Sequence, residues 1–185
     1  MAGRPRNGRH WAQLPDLSST GIDVVVYYFG LNVGDDFLCT ATGPITDIHL
    51  WGSFKNDILP NDGPGGLTFY ISIWSNAPAD ADKPFSRPQD ILWNRTYGPG
   101  QYTVRRVYEG TEGWYQPRQP EYIPADHKYA YQYNFCIEDE PFVQQEGTIY
   151  WLLVQCMPAP PSPGIWMPPA RQPSGNGRNC TTRPA

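Results

Sequence analysis

The run from Asp35 to Asn56, DDFLCTATGPITDIHLWGSFKN, constrains the fold more than any other stretch of the chain. An acidic pair leads into an apolar stretch, a Gly-Pro turn follows, and a second apolar stretch ends in Trp51-Gly52. It reads as two antiparallel strands joined by a tight turn, and the same grammar recurs downstream. Leu67, Phe69, Ile71 and Ile73 alternate with Thr68, Tyr70, Ser72 and Trp74, the period-2 pattern of a half-buried strand. Tyr129 to Ile137 repeats it, and Ile48 and Leu50 alternate with Asp47, His49 and Trp51. Thr148 to Val154 is apolar on both faces, as expected of a central strand covered on both sides. The core set read from this alternation is Leu67, Phe69, Ile71, Ile73, Ile149, Trp151 and Leu153. Weaker strands are expected over Asp23–Tyr28, Asp36–Ala41, Ile91–Tyr97 and Tyr102–Tyr108. The total of about eight is enough for two packed sheets. The fold class is therefore all-β, an antiparallel β-sandwich.

Punctuation between these segments agrees. Residues 60–66, PNDGPGG, form a turn cluster, Asn76 to Pro88 a longer polar loop, and Gly98-Pro99-Gly100 a reversal. Trp114 to Pro124 carries three prolines and is expected to be an ordered loop. From Met157 the chain turns dense in Pro, Ser, Gly and Arg with no apolar period, the composition of a disordered tail. One apolar trio inside it, Ile165-Trp166-Met167, offers the opposing reading of a segment that docks on a sheet edge. The expected division is a basic flexible N-terminus at 1–9, a sandwich domain at 10–156 and an irregular tail at 157–185.

Several function classes lose support. A net charge of −4 does not provide the concentrated basic surface that nucleic-acid binding needs. Arg4, Arg6 and Arg9 read as a short solvated tail. No apolar run approaches the roughly 20 residues of a membrane span, and the N-terminus lacks the apolar core of an export signal. Cys39, Cys136, Cys156 and Cys180 show no C-x-x-C spacing; the simplest reading is buried strand thiols plus one free tail Cys, with no pairing selected. His10, His49 and His127 lack the H-E-x-x-H or H-x-H spacing of a zinc or copper site, and no G-x-S-x-G elbow is present. His49 reads as a solvated or hydrogen-bonded histidine.

The acidic clusters call for more care. Asp35 and Asp36 are adjacent and point to opposite faces of a strand. With Asp57 and Asp62 they are the weak candidates for a structural Ca2+, since hard cations take oxygen ligands; Asp80 and Asp82 form a similar pair. Turn capping is the favoured role for all of them. No other cofactor is called for. Asn94-Arg95-Thr96 and Asn179-Cys180-Thr181 match the glycosylation acceptor pattern, a match expected by chance. Seven Trp and twelve Tyr exceed what a small core requires. Packing in the core or under the Asn76–Pro88 and Trp114–Pro124 segments is the favoured role for the surplus aromatics. Trp51, Tyr70, Trp74, Trp114 and Tyr115 are the ligand-binding candidates, because an exposed aromatic plane stacks on sugar rings or fits a protein interface.

The chain also resembles a family. DDFLCTATGPITDIHLWGSFKNDILPNDGPG, GLTFYISIWSNAPA, ILWNRTYGPGQYTVR, EGWYQP, EYIPAD, YQYNF and QQEGTIYWLLVQ together resemble an uncharacterised domain family of secreted proteins from environmental bacteria. The resemblance runs from about His10 to Gln155. It implies a jelly-roll-like sandwich, an extracellular or cell-surface location, and no established catalytic residues. Two departures are visible. Members begin with an export signal, which this sequence does not show, and they continue past the TIYWL strand with a Gly-Trp-Lys strand and a Trp-rich acidic segment. PAPPSPGIWMPPARQPSGNGRNCTTRPA stands in that place, so a missing terminal strand and an unpaired edge are expected.

The functional expectation is a non-catalytic surface-binding module, with polysaccharide as its leading ligand. The alternative is a structural or assembly domain making protein–protein contacts in a larger envelope protein. A jelly-roll glycan-cleaving enzyme ranks third, with Asp47, Glu109, Glu112 and Glu121 as its carboxylates.

Overall fold

The structure, a computed structural model, describes residues 13–26, 32–158 and 165–166. The expected basic N-terminus, most of the expected tail and the acceptor pattern at Asn179 lie outside these residues. The chain folds as a β-sandwich. One sheet has four strands in the order β2 (Val33–Leu38), β10 (Ile149–Pro158), β5 (Leu67–Ala77), β6 (Arg87–Tyr97). The other is built on β4 (Asp47–Phe54), β8 (Glu121–Cys136) and β7 (Thr103–Gln116). β3 (Gly43–Pro44) and β9 (Val143–Gln144) form a small separate pair.

The inner faces meet in one apolar core. Phe69 is fully buried, and its ring lies 5.1 Å from Tyr102, 5.0 Å from Tyr133 and 5.1 Å from Phe135, which ties β5 to the opposite sheet. The Tyr102 hydroxyl accepts the Leu67 N–H at 3.0 Å and faces the Gly65 carbonyl at 2.7 Å, so a buried polar atom is satisfied where the turn cluster enters β5.

Four expectations need correction. Asp35–Asn56 is not a hairpin: β2 pairs with β10, and β4 pairs with β8 in the other sheet. The Gly-Pro stretch crosses between the sheets, where the Cys39 and Ile45 N–H groups bond Thr148 and Phe142 carbonyls. On β10 the buried set is Tyr150, Leu152, Val154 and Cys156, while Ile149 is 37% exposed and Trp151 and Leu153 are half-buried. The two faces of TIYWLLV are thus assigned the other way round. The expected loop at Trp114–Pro124 shrinks to a four-residue turn at 117–120, with β7 and β8 running into it. Cys136 is disulfide-bonded, whereas Cys39 and Cys156 are buried free thiols.

The region after Met157 is also not wholly irregular. β10 continues to Pro158, and Ile165–Trp166 form a short strand, β11, between β1 (Ile22–Val26) and β4. β1 in turn runs parallel to β7 through Ile22, Asp23 and Val24. The pairings β1–β11–β4–β8–β7 therefore close a circle. Closure rests on two- and three-residue contacts, so the circle is a narrow mouth at one end of a sandwich. A second small core of Val25 and Trp114, with Val24 and Ile123, fills it.

Candidate functional site

Two regions gather functional side chains. The first is the outer face of the four-stranded sheet. Alternation along β5 turns Leu67, Phe69, Ile71 and Ile73 inward, which sends Thr68, Tyr70, Ser72 and Trp74 outward. The β10 register sets Trp151 directly opposite Trp74, Leu153 opposite Ser72 and Gln155 opposite Tyr70. Both indoles are half-buried and anchored: Trp74 Nε1 donates to Ser72 Oγ at 2.8 Å and Trp151 Nε1 to Asn76 Oδ1 at 2.9 Å. Asp36 stands opposite Trp151 on β2 and accepts the Ser86 hydroxyl at 3.3 Å, so the 78–86 loop reaches back to this end of the face.

The five aromatic candidates do not form one surface. Tyr70 and Trp74 share the face just described. Trp51 lies on the outside of the other sheet, opposite Gln132, whose Oε1 takes the Arg105 guanidinium at 2.6 Å. Trp114 is 1% exposed in the second core and presents no surface to a ligand. Tyr115 pairs with Tyr122 near the β7–β8 turn. Trp151, which the sequence reading placed in the core, is the partner that Trp74 has.

Two of the oxygen-rich candidates, Asp35 and Asp57, are used by the backbone. The Asp57 carboxylate accepts the Lys128 and Tyr129 N–H groups at 3.0 and 3.1 Å, and Asp35 Oδ1 accepts the Asp36 N–H at 3.0 Å. Asp62 is exposed at the 60–66 turn. None of Asp35, Asp36, Asp57 and Asp62 belongs to a ligand-like group of three among the described residues. The four carboxylates named for glycan cleavage do not converge either. Asp47 faces Cys136 and Glu112 faces His127 on the same strand, nine positions apart and so about 30 Å along it.

The second region lies inside the closed mouth, where Asp23, Glu112 and His127 come together at 4%, 2% and 1% exposure. Each arrives from a different strand. Glu112 sits on β7 between two irregularities in the β7–β8 ladder, the kind of bulge that re-aims a side chain. On β8, Ala125 has φ 51°, and this break in the pleat lets consecutive residues Asp126 and His127 both bury their side chains. His127 Nε2 faces Asp23 Oδ2 at 2.8 Å and Glu112 Oε2 at 3.3 Å, while Nδ1 faces Asp126 Oδ2 at 3.4 Å. Ser53 on β4 donates to Asp23, and the Asn56 N–H donates to Asp126 Oδ2 at 2.9 Å. Glu112 Oε1 and Asp126 Oδ1 are buried without a hydrogen-bond partner.

Three carboxyl groups around one imidazole cannot neutralise each other by ion pairing alone. Burial pushes the Asp23 carboxyl up to about 7, against the bonds from His127 and Ser53 that favour its charged form. For His127 burial works in the opposite direction, but its bonds to Asp23 and Glu112 overrule it and raise the imidazole to about 10. Asp23 and Glu112 are far from His127 in sequence, so no local spacing could have marked them.

Fold and site together define a β-sandwich domain with an anchored aromatic face on one sheet and a buried acid–histidine cluster at one end. The chain belongs to the domain-of-unknown-function family DUF7901, whose sequence model matches residues 9–174. No curated protein and no solved structure matches it. Among the described residues no helix is long and apolar enough to cross a membrane.

Proposed function

We propose that this domain is a non-catalytic binding module that works at the cell surface or outside the cell, with polysaccharide as its ligand class and the outer face of the four-stranded sheet as its contact surface. The observation that carries the reading is the Trp74–Trp151 pair. Two large aromatic rings lie opposite each other across β5 and β10, partly exposed, with their N–H groups already committed to Ser72 and Asn76. Rings fixed in this way bind by their apolar planes, which suits the C–H faces of sugar rings. Further along the same face, Asn94 beside Ser72 and the Tyr70–Gln155 pair add polar groups for ring hydroxyls. Affinity electrophoresis through gels containing soluble polysaccharides tests the reading. Retardation is expected for the wild type, and Trp74→Ala or Trp151→Ala should each weaken it by about 0.5–1.5 kcal/mol, up to roughly tenfold. Equal mobility of wild type and both variants in every gel would sink it.

A protein-binding role in a larger envelope protein is the second reading, and β6 favours it. This strand ends its sheet, and Ile91 and Leu92 are each 46% exposed on it. An apolar edge offers unpaired backbone groups for strand addition. Light scattering across a concentration series separates the two. A strict monomer that binds polysaccharide supports the first reading, and concentration-dependent association lost in Ile91→Lys supports the second.

A further inference from the structure

We infer that Asp23, Glu112 and His127 form a binding site for one divalent transition-metal ion, with Zn2+ the best fit, which clamps β1, β7 and β8 together at the closed mouth of the sandwich. The three side chains offer one imidazole nitrogen and two carboxylate oxygens, all within 4.8 Å of one another. Ligand atoms about 2.0–2.1 Å from a tetrahedral zinc stand about 3.3 Å apart. The His127 Nε2 contact of 3.3 Å to Glu112 matches that spacing, and the contact of 2.8 Å to Asp23 is short of it by about half an ångström.

The surroundings are those of a metal-bound histidine. A ligating imidazole commonly gives its other ring N–H to a carboxylate, which fixes the tautomer and turns the free lone pair toward the ion. Asp126 Oδ2 sits at Nδ1 in that position, and is itself held by the Asn56 N–H. Ser53 does the same for Asp23. Glu112 Oε1, buried and without a partner, is a further oxygen beside the site. The imidazole argues against Ca2+ or Mg2+, which prefer all-oxygen shells, and for a Zn2+-class ion. Neither the expectation of Ca2+ at the surface acidic clusters nor the absence of a histidine spacing motif pointed here.

Burial gives substrate no access to the three ligands, so the ion's role is structural. Metal that binds only the folded chain raises its stability by mass action. The test starts from protein unfolded with chelator and refolded with Zn2+, so that the buried site can load, then freed of loose metal by gel filtration. One equivalent of Zn2+ per chain is expected, with Tm higher than in metal-free protein by about 5–10 °C when Zn2+ is about 100-fold above its Kd. Glu112→Gln, which keeps shape while removing charge, should lose the equivalent and the Tm shift while retaining the wild-type circular dichroism spectrum. His49→Gln should keep both. If Glu112→Gln does not fold, nitrogen NMR of wild-type His127 decides: a neutral, metal-bound ring is expected after loading. Substoichiometric metal in the wild type, full loading in folded Glu112→Gln, or an imidazolium spectrum in the Zn2+-treated protein would each overturn the assignment.

Discussion

Ala125 shows how much one backbone angle can decide. A non-glycine residue at φ 51° costs about 1–2 kcal/mol relative to extended backbone, and here the distortion lets Asp126 and His127 bury side chains in succession. Single residues elsewhere carry effects that can be measured directly. Phe69 is fully buried against three aromatic rings of the opposite layer, so Phe69→Ala should cost about 3–5 kcal/mol in urea denaturation. A loss below about 1 kcal/mol would mean the two sheets do not meet at this ring. His49 supplies a pH dependence. Its Nε2 bonds Asp47 at 2.8 Å and its Nδ1 bonds Asn134 on β8 at 2.5 Å, with Arg105 on β7, one strand further on. The Asp47 bond is the main cause raising the imidazole above 6.5, burial opposes it, the Asn134 bond adds to it, and the Arg105 charge opposes it. A histidine raised on folding stabilises fully below its unfolded value of about 6.5, and that contribution fades as pH rises through the folded value. The urea midpoint gap between wild type and His49→Gln should therefore be wider at acid pH than at alkaline pH. A gap independent of pH would show that His49 does not change its protonation on folding.

At the scale of elements, strands whose polar residues mark one face were legible, and strands without that mark were not. β5 shows its inward set as Leu67, Phe69, Ile71 and Ile73 because Thr68 and Ser72 label the other side. β10 has no such label in TIYWLLV. Only the ladder to β5, with Trp151 against Trp74, reveals that Tyr150, Leu152 and Val154 face inward. Prolines misled in a different way. Pro124 lies inside β8, next to the break in the β7–β8 ladder where no N–H is needed. β11 is the smallest element and the least visible in composition, because its two residues sit between prolines. Its ladder joins β1 to β4 and completes the mouth around the acid–histidine cluster. A chain ending at Pro158 should consequently melt several degrees lower than the full chain, both compared with the Cys136 disulfide reduced. Coincident melting curves would show that β11 pairing adds nothing to stability and that the mouth closes without it.

For the whole molecule, the sandwich class was legible from strand number and turns, while its connectivity was not, because strand partners are chosen across long stretches of chain. β2 at 33–38 pairs with β10 at 149–154, and β1 at 22–24 with β7 at 113–115. The same distances hid the metal-like cluster, which no sequence window contains, whereas Tyr70 and Trp74 could be found because they share one strand. This topology also sets a kinetic expectation. Non-local pairings require long loops to close before contacts reward the closure, and all-β domains of this kind fold in about milliseconds to seconds. Tryptophan fluorescence will report the event, since Trp114 moves from solvent into the second core. Stopped-flow refolding after brief unfolding, too short for prolyl isomerisation, should show its main amplitude in that window. Recovery of the whole signal within the mixing dead time would contradict a fold whose sheets are assembled from distant ends of the chain. Slow recovery that becomes fast in the chain ending at Pro158 would place the closing of the mouth at the rate-limiting step.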